Sequence, residues 1–262
     1  MDLPRALSIA GSDSSGGAGI QADLKTFSAL GVFGMSAITA ITAQNTRGVN
    51  AVQNISCDMV AGQIDAVFSD IRVDAVKIGM LSSADIIRCV AERLRHWRPA
   101  FVVLDPVMVS KSGCHLLQPD AVSALREELL PLVQLVTPNL PEAEVITGKP
   151  VVNEGDMLAA AKGICALGAR AALVKGGHCK EHANDLLYDG RDARWLPGER
   201  IASRNTHGTG CTLSAAIAAE VAKGQAMLPA CEAAKAYVRR ALGAGLAIGK
   251  GCGPLHHFID WY

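Results

Sequence analysis

Apolar residues fall along the chain in short runs separated by longer stretches of helical period. The runs at 7–10, 35–43, 75–78, 101–104, 135–137 and 171–175 have the length of strands buried on both faces. Between them, 20–30, 84–97, 120–130 and 154–167 space their apolar positions as amphipathic helices do. Strand and helix therefore alternate. This predicts an α/β fold, a three-layer α/β/α sandwich built on a mostly parallel central sheet. Residues 186–188 and 194–196 read instead as a hairpin, with Asp189-Gly190 supplying its turn. The Ala-rich stretches 212–221 and 228–248 predict two further helices. No repeat, low-complexity tract or linker-like segment divides the chain, so residues 1–262 are expected to form a single domain.

Charge and cysteine usage narrow the chemistry. With 25 basic and 25 acidic residues, no net field draws the protein to nucleic acid or to an anionic membrane surface. Aromatics make up 4% of the residues, too few for a single-strand stacking platform. Any bound anion must be held locally. No apolar run reaches the length of a membrane span and no signal-like segment opens the sequence, so a cytoplasmic protein that binds neither nucleic acid nor membrane is expected. The eight cysteines are scattered without a Cys-x-x-Cys pair, the pattern of reduced thiols rather than of a zinc site or redox dithiol. His256-His257 lacks a completing ligand set and reads as packing.

Two Gly-rich turns could meet a ligand. The first, Gly11-Ser12-Asp13-Ser14-Ser15-Gly16-Gly17-Ala18-Gly19, joins a predicted strand to a predicted helix and could bring backbone close to a bound molecule. Gly11 and Gly16 have Walker spacing, but Gly17 stands where that motif needs lysine. A dinucleotide fingerprint fits formally from Gly17 onward, yet it starts several residues after the strand and lacks the ribose-binding acid near Gln44. The second turn, His207-Gly208-Thr209-Gly210-Cys211, precedes a small-residue helix. Its free N–H groups and positive helix end suit a phosphoryl group in transfer, without any basic surface.

Acidic and basic groups follow other strand runs. Asp105 comes after 101–104, and Asn139-Leu140-Pro141-Glu142 after 135–137. Asn-x-x-Glu is also the pattern of a capping box, and Asp105-Pro106 could be a simple turn. Lys175 ends the run 171–175, where it could meet a nucleotide phosphate. Two carboxylates and two Gly-rich turns at the ends of parallel strands supply the oxygen ligands and N–H donors that Mg²⁺ and phosphates need.

Together these blocks, with Thr42-Ala43-Gln44-Asn45-Thr46, Asp105-Pro106-Val107-Met108 and Lys175-Gly176-Gly177-His178, resemble the hydroxymethylpyrimidine/phosphomethylpyrimidine kinases of thiamine biosynthesis, within the ribokinase-like superfamily. The resemblance implies phosphorylation of hydroxymethylpyrimidine and then of its monophosphate by ATP with Mg²⁺. It implies a pyrimidine pocket of Gly11, Asp23, Gln44, Met80 and Val107, and a nucleotide site at Asn139 and Lys175. Asp105 and Glu142 would serve the metal, and Gly208, Thr209 and Gly210 would form an anion hole. Cys211 stands where many ribokinase relatives carry a catalytic Asp, and a helix N-terminus can stabilise its thiolate. Residues 110–113 resemble a flap over the substrate, and a homodimer is implied. A pyridoxal-type kinase shares the Gly-Thr-Gly-Cys turn and is the nearest alternative. A vitamin-binding module without chemistry is a second, which Asp105, Glu142 and Cys211 disfavour.

Overall fold

The structure, a computed structural model, describes residues 2–108, 120–178 and 183–262. The segment 110–113 therefore lies outside the described residues. Nine strands form one sheet in the order β3-β2-β1-β4-β5-β6-β7-β8-β9. β1 (Arg5–Asp13), β2 (Phe33–Asn45), β4 (Ala75–Ile78), β5 (Val102–Leu104), β6 (Leu135–Val136) and β7 (Ala172–Val174) run parallel. Antiparallel strands finish both edges: β3 (Gly48–Asn54) on one, the hairpin β8 (Asp185–Tyr188) and β9 (Ala193–Leu196) on the other.

Side chains alternate across the strands into two cores. Leu7, Ile9, Val76, Ile78, Val102 and Leu104 face α2 (Cys57–Phe68), α3 (Ala84–Trp97), α4 (Ala121–Ala124), α5 (Leu140–Thr147) and α6 (Glu154–Ala166). Ala6, Ala75, Val103 and Leu173 face α1 (Gly19–Ala29), α7 (Thr209–Ala222) and α8 (Met227–Ala244). The expected three layers are present. In α7 the run from Ala215 to Ala219 is fully buried, and small side chains let this helix lie close beneath the sheet. Its N-terminus thereby reaches the carboxyl ends of the strands.

Three departures from the expected elements have local causes. β3 pairs with the end of β2 but is exposed along most of its length, so it lacks the apolar signature of a buried strand. α2 starts at Ser56, whose side chain accepts from Met59 N. The helix expected over 120–130 holds α geometry for four residues, then opens into π turns over Leu125–Leu129 and closes as a 3₁₀ turn over Leu130–Leu132. Pro131 has no N–H to give and its ring crowds the carbonyl one turn back.

Candidate active site

A cavity of about 1820 Å³ runs along the carboxyl ends of the parallel strands and beneath the start of α7. Single-ligand pockets are typically about 300–1,000 Å³, so this one has room for two small molecules side by side. Gly11, Gln44, Met80, Asp105, Val107, Asn139, Glu142, Lys175, Gly208, Thr209, Gly210 and Cys211 all line it, brought together from six strand ends and the starts of α5 and α7. Gly11 sits at the register shift in the β1–β2 pairing, where an irregular ladder turns backbone toward the cavity.

Asp23 does not reach it. The side chain is fully buried on α1, accepts from Ser8 Oγ at 2.6 Å and lies 2.7 Å from Lys77 Nζ, itself 0% exposed. Burial raises the Asp23 carboxyl, with Lys77 and Ser8 opposing it. Burial would lower Lys77, but Asp23 overcomes that and holds the ammonium charged. Asp23 is thus a support for Lys77 rather than a substrate contact. Lys77 lines the cavity, and its signal was a lone lysine inside the apolar run 75–78.

The acidic end is compact. Asp105 Oδ1 lies 2.8 Å from Lys175 Nζ, and Glu142 Oε2 lies 3.9 Å from the same nitrogen. Asp105 is 2% and Glu142 7% exposed. Burial, joined by repulsion from Asp105 and opposed by Lys175, pushes Glu142 up to about 7. Burial alone would lower Lys175, but the two carboxylates raise it. The capping box is also real: Asn139 Oδ1 accepts from Glu142 N at 2.9 Å, and Glu142 Oε2 accepts from Asn139 N at 2.8 Å. Glu142 therefore caps α5 and faces Lys175 at once, while the Asn139 side-chain oxygen is occupied by the cap.

The two Gly-rich turns differ inside. In the first, Asp13 Oδ1 accepts from Ser15 N and Ser15 Oγ, both at 2.8 Å, and Asp13 Oδ2 from Ala18 N at 2.8 Å and Gly17 N at 3.2 Å. Burial would raise this carboxyl, but bonds from His207 and Ser15 hold it down at about 2. The donors that a ligand could have used are filled by the loop's own acid. In the second turn Gly208 takes φ 79° and no side chain caps α7; Thr209 N keeps only a long 3.4 Å bond to Thr206 O, and the first-turn N–H groups point out of the helix. A Cβ at Gly210 would stand 3.2 Å from Asp105 Oδ2 and 3.3 Å from Lys175 Nζ, which places this turn directly over the acidic end.

Cys211 departs from its expectation. Burial, with Asp23 and Asp105 adding to it and Lys77 opposing, pushes the thiol up to about 11. Desolvation and the two carboxylates thus oppose a thiolate at Cys211, which is half-buried on the cavity wall. His257 is buried, its Nε2 lying 3.1 Å from Thr212 Oγ1, and burial pushes it down to about 4. Among the described residues no group of three or more His, Cys, Asp or Glu side chains is placed to hold a metal ion.

The phosphomethylpyrimidine kinase family model matches residues 13–256. The chain belongs to this family. It is 59% identical to the hydroxymethylpyrimidine/phosphomethylpyrimidine kinase of Rhizobium meliloti (strain 1021), over 98% of both chains. It is 50% identical to the thiamine biosynthesis bifunctional protein of Geobacter sulfurreducens, covering 97% of this chain and 52% of that one. The ADP complex of a Bacillus subtilis pyridoxal kinase superposes with a TM-score of 0.92 at 43% identity, over 99% of both chains. The phosphomethylpyrimidine kinase family thus has here a ribokinase-like fold, as its motifs implied. Within it, Asp13, Lys77 and His207 join the site region without having been assigned a role from sequence.

Proposed function

We propose that the whole chain acts as one kinase unit that phosphorylates 4-amino-5-hydroxymethyl-2-methylpyrimidine and then its monophosphate, using ATP, in thiamine biosynthesis. One observation carries this reading: a single cavity is lined by Gln44, by the uncapped start of α7, and by Asp105 and Lys175. The family membership agrees with it. Gln44 offers an acceptor and donors to the aminopyrimidine edge. The N–H groups of Thr209, Gly210 and Cys211 receive the charge of the transferring phosphoryl group, and Lys77 and Lys175 balance it. In the first step the hydroxymethyl oxygen attacks the γ-phosphorus, the bond to the β,γ-bridging oxygen breaks, ADP leaves and the alcohol proton passes to solvent. In the second, a phosphate oxygen of the monophosphate attacks another ATP, and no alcohol need be deprotonated.

Asp105 and Glu142 suit Mg²⁺, which commonly takes one or two carboxylates and fills its remaining positions with water and substrate phosphates. The ion would neutralise charge on the transferred group. With Cys211 protonated, transfer rests on positioning and charge stabilisation, and Cys211 contributes its backbone N–H and the shape of its side chain. Among the described residues no helix is long and apolar enough to cross a membrane. A cytoplasmic homodimer follows from the family resemblance.

Mass-resolved product analysis with hydroxymethylpyrimidine, ATP and magnesium tests the reading. A diphosphate product is expected, and its absence once the alcohol has been fully converted to monophosphate with ATP still in excess contradicts dual phosphorylation. The likeness to a pyridoxal kinase favours a second reading, in which pyridoxal is the preferred alcohol. Competition between the two alcohols separates them.

A further inference from the structure

The cavity wall around Gln44 holds a hydrogen-bonded chain whose protons can be assigned. His207 Nε2 lies 2.7 Å from Asp13 Oδ2 and 3.3 Å from Gln44 Nε2, Thr42 Oγ1 lies 3.1 Å from Gln44 Oε1, and the Thr42 hydroxyl reaches Ser12 O at 2.7 Å. A backbone carbonyl can only accept, so the single Thr42 proton goes to Ser12. Asp13, ionised and already accepting from three backbone N–H groups and the Ser15 hydroxyl, can only accept as well. His207 therefore carries its proton on Nε2 and donates it. Thr42 is left to accept from Gln44, and the His207 N–H, whose proton goes mainly to Asp13 at 2.7 Å, presents its positive flank to Gln44 at 3.3 Å as the longer arm of a shared donor. Both conditions fail with the carboxamide oxygen at Thr42 and its nitrogen at His207. Both are met when the amide is turned over, with –NH₂ toward Thr42 and oxygen toward His207. Amide oxygen and nitrogen have nearly the same shape, so partners decide between them.

In that orientation one Gln44 N–H and one carbonyl lone pair stay uncommitted, and Gln44 lines the cavity. These match an aminopyrimidine edge, where an exocyclic N–H lies beside a ring-nitrogen acceptor. An oxo-pyrimidine edge carries the reverse pattern, a carbonyl beside a ring N–H, and pairs only with the amide turned the other way. We propose that Asp13 and His207 are positioning residues that fix the polarity of the Gln44 carboxamide, and so select an amino-bearing over an oxo-bearing pyrimidine. The selection rests on Gln44 contacting the pyrimidine as proposed above. The polarity itself does not.

Two measurements test it. In the ligand-free wild-type protein, NMR should show nuclear Overhauser contacts from the Gln44 side-chain NH₂ protons to the Thr42 side chain. Contacts to the His207 ring in their place overturn the assigned polarity, whatever the enzyme phosphorylates. The second compares kcat/KM for the amino substrate and its 4-oxo analogue in wild type, His207→Leu and His207→Gln. A well-placed two-point contact discriminates by a factor on the order of 10 or more, and His207→Leu should lose that factor through the pyrimidine KM, with the KM for ATP unchanged. His207→Gln, which returns an N–H near the Nε2 position, should recover it. An unchanged discrimination ratio in His207→Leu, or an equal fall in kcat on both alcohols, overturns the positioning role. Failure of wild type to phosphorylate either pyrimidine overturns the substrate reading and the selection with it, while the NMR contacts still decide the polarity.

Discussion

The β1–α1 turn and the turn before α7 have the same outward sequence character, glycines between a polar residue and a helix, but only the first encloses an anion of its own. The first encloses the carboxylate of Asp13, which takes backbone bonds from Ser15, Gly17 and Ala18. The second has no side-chain cap and stands over Asp105 and Lys175. A Gly-rich turn that carries an acid of its own can satisfy itself and become scaffold. One without such an acid leaves its donors for a ligand. Glycine content alone does not separate the two.

Substitutions can break this division, and the largest effect should come from the scaffold side. Asp23→Ala leaves Lys77 charged, buried and unpaired, which typically costs about 3–5 kcal/mol. Denaturant unfolding should show that loss, with the pyrimidine KM of the remaining folded protein little changed. A selective rise in that KM at full stability would restore Asp23 to the substrate pocket.

On the ligand side, Gly208→Ala forces a side chain into the left-handed region at φ 79° and moves the first-turn N–H groups. Loss of one such donor typically lowers kcat by about 10²–10³-fold. Steady-state assays on both alcohols should show the fall in both steps, because both transfer the same group. Retained turnover would mean that the α7 turn is an ordinary helix start.

Asp13→Asn should act chiefly on stability and in a pH-dependent way. The Asp13 carboxyl is held at about 2, below its unfolded value near 4. Its contribution is therefore present above pH 4 and disappears as pH falls through 2. A shift of that size corresponds to about 2 kcal/mol. Wild type should be more stable than the variant by that order at pH 7, with the gap closing toward pH 2. A gap independent of pH would mean that the carboxylate charge is not what the first turn holds.

Cys211→Ala should have the smallest effect. It keeps the backbone N–H and removes a thiol that burial holds protonated, so single-turnover rates should fall less than about tenfold, equally in both steps. General-base assistance is typically worth about 10²–10⁴-fold. A loss of that size confined to the alcohol would show that the thiol ionises in the complex.

Much of this was legible in the sequence because buried parallel strands announce themselves as apolar runs. The strand over 75–78 and the helix over 84–97 coincide with Ala75–Ile78 and Ala84–Trp97. The exposed edge strand Gly48–Asn54 carried no such mark, since most of its side chains are exposed and need not be apolar. A place on the cavity wall was legible where a residue type and a strand or helix end sufficed, as for Asp105, Lys175 and Gly208. It was not where three-dimensional pairing decides. Asp23 looked like a pocket acid until Lys77, distant in sequence, proved to be its partner. Cys211 looked like a stabilised thiolate from its place at a helix start, whereas burial and carboxylates distant in sequence raise its thiol. For Glu142 the cap pattern did not exclude a place at the cavity, because one carboxylate caps α5 and lies 3.9 Å from Lys175 Nζ.

The most direct measurement is the response of backbone amides to a non-hydrolysable ATP analogue with magnesium, followed residue by residue by NMR. Large shifts are predicted at Thr209, Gly210 and Cys211, with Ser15, Gly17 and Ala18 nearly unmoved because Asp13 already occupies them. Large shifts at the first turn, with the start of α7 unaffected, would contradict the assignment of the two turns.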